Sequence, residues 1–184
     1  MDSRKDILYT EGGELISLPD NTNTFRKIIT YDREQLIYKI LLEKQNELNT
    51  QSTGIVHIKA LTNNSVDIEL LDTNLDNYSV IEIKTEMYKV KNYLQSMGIL
   101  YFDWKFGNIG ISQLDGQLKL FDFDASGCIN YNRNTWIIEP ARNWFEYKNA
   151  VKAGMETPIN IDNYAFENSF KIPRNKHFNC CIIS

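Results

Sequence analysis

Asp103-Trp104-Lys105-Phe106-Gly107-Asn108 is the stretch on which the reading of this chain turns, together with Leu120-Phe121-Asp122-Phe123-Asp124, whose first aspartate comes fourteen residues after Asn108. A carboxylate, an amine and an amide are packed into six residues beside the apolar run Ile99-Leu100-Tyr101-Phe102, which reads as a polar loop between strands. Asp115-Gly116 then turns the chain between the segments 107–112 and 117–121, so the loop is followed by a strand, a tight turn and a second strand. Taken singly, Asp-x-Lys and Asp-Phe-Asp are ordinary turn residues and solvated charges. In this order they supply the parts of phosphoryl transfer: a carboxylate to orient or deprotonate an attacking hydroxyl, a cation beside the transferred group, and oxygen ligands for Mg²⁺.

Working outward, Ile83, Met87, Val90, Tyr93, Leu94 and Met97 recur at helical spacing through residues 80–97, and Gly98 is placed to end that helix. Residues 54–61 and 65–71 read as a hairpin around Asn63-Asn64, with a polar connector over 72–78. Asp32 caps a helix that starts at Arg33, carries Leu36, Ile37, Ile40 and Leu41 at helical spacing through Glu43, and frays over 45–53. A first hairpin is expected from residues 14–18 and 24–30 around the turn-rich Pro19-Asp20-Asn21-Thr22-Asn23. Beyond Gly127 the pattern loosens to one helix over 142–153 and a polar, partly irregular stretch to Phe170. Trp136, Trp144 and Phe145 are expected to fill a small core, His57 to be a half-buried strand histidine, and His177 to lie in a tail.

Residues 99–124 resemble the catalytic core of the protein-kinase-like superfamily, in which a D-x-K-x-x-N loop precedes a DFG-type strand by a similar distance. Matched residue by residue, the resemblance implies that Asp103 is the catalytic aspartate and Lys105 the loop lysine that steadies the γ-phosphate. It makes Asn108 and Asp122 the metal-holding pair. Lys27 is the best match for the lysine that contacts the nucleotide phosphates, and Glu34 for its helix partner, with Glu43 as competitor. The implied fold is α+β, an abbreviated protein-kinase-like fold with a small N-terminal β-sheet plus helix over residues 1–78 and a reduced helical C-lobe over 79–170. The implied activity is transfer of phosphate from ATP, with Mg²⁺ or Mn²⁺, to a Ser or Thr hydroxyl of a protein.

The departures are Tyr101 and Phe102 in place of the family's histidine and arginine, Asp124 in place of the DFG glycine, and no glycine-rich phosphate loop at residues 19–23; Gly12-Gly13 is the other candidate for that loop. They keep two alternatives open. One is a pseudokinase serving as a membrane-tethered interaction module; the other is a small-molecule phosphotransferase of the aminoglycoside or choline type.

At 184 residues and 21.5 kDa the chain has the length of one domain, and 42% hydrophobic with 24% charged residues is an ordinary globular composition. Twenty basic against 24 acidic residues leave a net charge of −4, which argues against nucleic acid as a partner. No apolar run approaches the ~20 residues of a membrane span and no signal-peptide core follows Met1, so a cytoplasmic location is expected. Residues 171–184 are expected to be a flexible tail. Its last residues, Cys181-Ile182-Ile183-Ser184, have the C-a-a-X form read by prenyltransferases; Cys180 is a second candidate for a lipid, and Lys171, Arg174 and Lys176 form a modest basic spacer. In a eukaryotic cell this pattern implies attachment to the cytosolic face of a membrane.

Overall fold

In the computed structural model, which describes residues 7–10, 13–17, 23–48 and 53–171, the chain opens as an antiparallel meander of β1 (Ile7–Thr10), β2 (Gly13–Ser17) and β3 (Asn23–Ile28). Helix α1 (Asp32–Leu48) follows, and then the hairpin of β4 (Ile58–Leu61) and β5 (Ser65–Glu69). Strand β5 pairs with β3, giving a five-stranded sheet of order β1-β2-β3-β5-β4. Neighbouring side chains on β3 point to opposite faces. Arg26 pairs with Asp67 of β5 at 2.6 Å, while Lys27 reaches α1. On α1, Ile37, Tyr38 and Leu41 form the buried stripe, and Glu34 lies on the same stripe one turn earlier, wholly buried. A carboxylate therefore occupies a core position facing the β3 lysine.

The remainder comprises β6 (Leu71–Asp72), α2 (Val80–Ser96), β7 (Ile99–Leu100), a single 3-10 turn (Phe106–Asn108), β8 (Ile109–Ser112), β9 (Leu118–Leu120), β10 (Gly127–Asn130), β11 (Thr135–Ile138), α3 (Phe145–Lys152) and α4 (Pro158–Ser169). They build two three-stranded antiparallel sheets, β6-β8-β9 and β11-β10-β7. The architecture is mixed α+β. A capping box starts α2: the Ser79 hydroxyl accepts from Glu82 N–H at 3.2 Å, and the Glu82 carboxylate accepts from Ser79 N–H at 2.8 Å. Gly98 ends the turn at φ +78, where a Cβ would stand 2.7 Å from the Ile129 carbonyl oxygen, so only glycine lets the chain pass from α2 into β7.

Two features tie the first sheet to the rest. Residues 54–56 run beside β9, with Val56 N–H donating to Leu120 O at 2.9 Å and Leu120 N–H to Gly54 O at 2.8 Å. Behind the loops, aromatic rings follow one another from α1 to α4: Tyr38 against Phe123 at 5.6 Å, Phe123 against Tyr101 at 5.2 Å, Tyr101 against Trp104 at 4.8 Å, and Trp104 against Phe166 at 5.1 Å. All five are essentially buried, so loop residues 101–104 and 123 form part of the core itself.

Several elements differ from the sequence expectation. Helix α1 runs on to Leu48 instead of fraying at Gln45, because the Gln45 side chain donates to Val56 O at 2.9 Å and accepts from Ile58 N–H at 3.1 Å. Residues expected to be irregular form the β10–β11 hairpin and α4; the stripe of α4, Ile161, Ala165 and Phe166, is interrupted by a buried aspartate that masks its period. Helix α3 starts at Phe145 rather than at 142, because residues 142–144 form a turn in which Trp144 N–H donates to Ala141 O at 2.9 Å. Phe145 is 69% exposed rather than in the core, and His57 is exposed and outside the strands. Trp136 is half-buried against Phe102, their rings 5.8 Å apart. The expectations for residues 18–22, Gly12, His177, Cys180 and Cys181 lie outside the described residues.

Candidate active site

The loop after β7 is held from below by α4. Asp162, 1% exposed, accepts at Oδ1 from Phe102 N–H at 3.2 Å and from the Trp104 indole N–H at 2.8 Å, and at Oδ2 from the Gln95 amide at 2.8 Å. Burial pushes its carboxyl above the ordinary aspartate value despite these donors. Phe102 sits at φ +68, a conformation that costs a non-glycine residue about 1–3 kcal/mol, and the bond from its amide to Asp162 is part of what maintains it. The next residue, Asp103, is 2% exposed. Its Oδ2 takes the Lys105 ammonium at 2.7 Å and the Asn108 amide at 2.7 Å, which leaves Oδ1 as the oxygen free of these two bonds. Burial works against the charge on Lys105, and the hydrogen bond and attraction of Asp103 outweigh it, so its pKa lies above the usual lysine value.

Asn108 closes the 3-10 turn and is buried. Its amide nitrogen also lies 2.9 Å from the Tyr101 hydroxyl and 3.2 Å from the Asp103 carbonyl, so its donors point into the loop and its side-chain oxygen is directed away from them. The second carboxylate segment follows β9. Asp122 stands at φ +65, and its carboxylate bonds directly to the Lys27 ammonium, which at the same time holds Glu34 Oε1 at 2.6 Å. Arg33 donates from Nε to the Asp124 carbonyl at 2.9 Å and the Tyr38 ring packs on Phe123, so α1 touches the Asp122–Asp124 turn at two points.

Carboxylate oxygens of Asp103, Asp122 and Asp124 converge to within 4.8 Å of one another. Asp124 Oδ1 is buried with no hydrogen-bond partner, as is Glu34 Oε2. Burial, then the neighbouring Asp122, raises Asp124 above its ordinary value; burial outweighs Lys27 in raising Glu34. Lys27 also loses by burial but gains more from Tyr38, Asp122 and Glu34, and is held firmly as the ammonium. The pair is unequal because one amine answers two carboxylates, whereas Glu34 sets one ammonium against complete burial. Four carboxylates at this place are answered by Lys27 and Lys105, with the Arg33 guanidinium at the edge. Converging hard oxygens, a negative excess and an unpaired buried carboxylate oxygen fit a divalent cation such as Mg²⁺.

Lys27, Glu34, Asp103, Lys105, Asn108 and Asp122 are thus gathered at one place, from β3, α1 and the two loops. Glu43, the competitor of Glu34, is exposed. Asp124, noted in the sequence only as a departure, contributes a carboxylate to the cluster, and Arg33 reaches its backbone. Tyr101 and Asp162 were missed as part of the site. Tyr101 carried the signal of a phenol next to the loop, whereas Asp162 carried none, being one polar residue in a polar stretch. The chain matches no family model and no curated protein.

Proposed function

We propose that this chain is a phosphotransferase of the protein-kinase-like kind, which binds ATP with Mg²⁺ or Mn²⁺ and passes phosphate to a hydroxyl, first of all a protein serine or threonine. The observation that carries the reading is the Lys27 ammonium bonded to both Glu34 and Asp122, residues 7 and 95 positions away, beside the Asp103-Lys105-Asn108 loop. In this reading Asp122, Asn108 and Asp124 hold the metal, which when bound offsets the charge of the phosphates. Lys27, kept in place by Glu34, contacts phosphate oxygens. Asp103, its Oδ2 occupied by Lys105 and Asn108, accepts at Oδ1 from the acceptor hydroxyl and aligns it for attack. The Lys105 ammonium stands where charge develops on the transferred group.

One observation favours a second acceptor class. Asp124 stands where the resemblance expects glycine, and its carboxylate is part of the cluster, a change shared with small-molecule phosphotransferases of the aminoglycoside and choline type. Transfer from γ-labelled ATP in Mg²⁺ or Mn²⁺, with Asp103→Ala beside the wild type and protein, sugar, choline and aminoglycoside acceptors in parallel, tests the reading. Incorporation lost in Asp103→Ala supports it and the labelled acceptor names the class. No transfer, together with no metal-dependent shift in melting temperature on adding ATP, overturns it in favour of a binding module.

A further inference from the structure

We propose that the Tyr101 hydroxyl is a positioning group that joins the two metal-holding segments, fixing the Asn108 amide and the Phe121–Asp122 peptide with one O–H. The inference rests on the phosphotransferase reading of the site and concerns how its ligands are held. A phenol has one proton to give. The carbonyl of Phe121, 2.5 Å from the hydroxyl, can only accept, so the proton goes there, and the phenol oxygen is left to accept from the Asn108 amide at 2.9 Å. Two consequences follow from this assignment. The Asn108 NH₂ is drawn toward Tyr101 and Asp103, so its oxygen is the atom available to a cation. The peptide plane between Phe121 and Asp122, whose orientation sets the φ of Asp122, is pinned on the side of its carbonyl.

That φ is +65, and a bond at the preceding carbonyl helps an aspartate stay in a region it visits at a cost. The backbone adds a parallel tie, Phe121 N–H to Asn108 O at 3.0 Å, so side chain and main chain link the same two segments. Tyr101 is wholly buried, with its ring against Trp104 at 4.8 Å and Phe123 at 5.2 Å. Phenylalanine keeps both ring contacts and removes only the hydroxyl, so the substitution separates holding the ligands from filling the core.

The test is Mn²⁺ binding, read from the paramagnetic resonance signal of free Mn²⁺ with and without β,γ-imido-ATP, in wild type, Tyr101→Phe, Asn108→Ala, the double variant and Asp122→Asn. Outer-shell partners of metal ligands are commonly worth ten- to a hundredfold in affinity, so Tyr101→Phe is expected to bind Mn²⁺ at least tenfold more weakly while melting cooperatively without metal. The double variant is expected to lose less than the product of the two single losses, because both changes act partly on the same amide. Binding within twofold of wild type in Tyr101→Phe, multiplicative losses, or a variant that no longer melts cooperatively each overturn the proposal, the last by making the hydroxyl a structural group. If wild type binds no Mn²⁺, or Asp122→Asn binds as wild type does, the phosphotransferase reading fails first and takes this one with it.

Discussion

Asp124 is a carboxylate placed where its charge is costly, and the cost sets a pH dependence. Its folded-state pKa lies above the ordinary aspartate value, chiefly through burial, so the folded chain takes up this proton more readily than the unfolded chain. The associated stability is fully present below the unfolded pKa and is lost as pH rises through the folded pKa. Glu34, raised for the same first cause, acts in the same direction. A divalent cation needs the ionised carboxylate and relieves its burial, so the rise in melting temperature on adding Mn²⁺ is expected to grow with pH over that window. In Asp124→Asn the growth flattens. Melting curves at a series of pH values check this, and equal pH dependence in both proteins would remove Asp124 from the metal site. Asp122 was legible in the sequence because it follows an apolar strand, and Asp124 only as a departure, since its orphaned Oδ1 is a property of the packed loop.

At the scale of elements, α4 is the support of the loop that carries Asp103. Replacing Asp162 by alanine strips the acceptor from the buried amide of Phe102 and the buried indole N–H of Trp104, each unpaired donor costing about 1–3 kcal/mol. Asp162→Ala is therefore expected to lose ~2–6 kcal/mol in chemical denaturation, and a loss below ~1 kcal/mol would show that the loop is held without α4. The helices with regular stripes, α1 and α2, could be read from periodicity, and the hairpins from their turn residues. Helix α4 could not, because its central buried residue is an acid whose purpose is met by donors 58, 60 and 67 residues earlier. The β10–β11 hairpin escaped for a related reason: Trp136, Ile137 and Ile138 are three apolar residues in a row, with Ile137 65% exposed beside a bulge, so the sequence of β11 does not alternate although its burial does.

Across the whole molecule, the Lys27 triad is one of the ties between the first sheet with its helix and the loops that follow β7 and β9. Lys27→Met leaves Glu34 wholly buried without its ammonium, and breaking one partner of such a pair costs about 3–5 kcal/mol. Replacing both, Lys27→Met with Glu34→Leu, is expected to recover part of that stability, because the wholly buried carboxylate is removed, whereas Asp122, which also loses its ammonium, is 27% exposed and keeps access to water. Denaturant titrations of wild type, single and double variants measure it, and a double variant no more stable than Lys27→Met would mean that the pair does not act as a unit. By itself the sequence determined the local parts: the turns, the stripes of α1 and α2, and the loop whose carboxylate, amine and amide are adjacent in the chain. Through the resemblance it also pointed to Lys27 and Glu34, with Glu43 as competitor, within one short stretch of polypeptide. Only the tertiary structure decided that Lys27 meets Asp122 across 95 residues, that Asp162 lies under the loop, and that the Tyr101 hydroxyl joins Asn108 to the Phe121 carbonyl. Those contacts depend on which buried polar atoms face one another once the core has closed, and neither the period of two nor that of 3.6 carries that information.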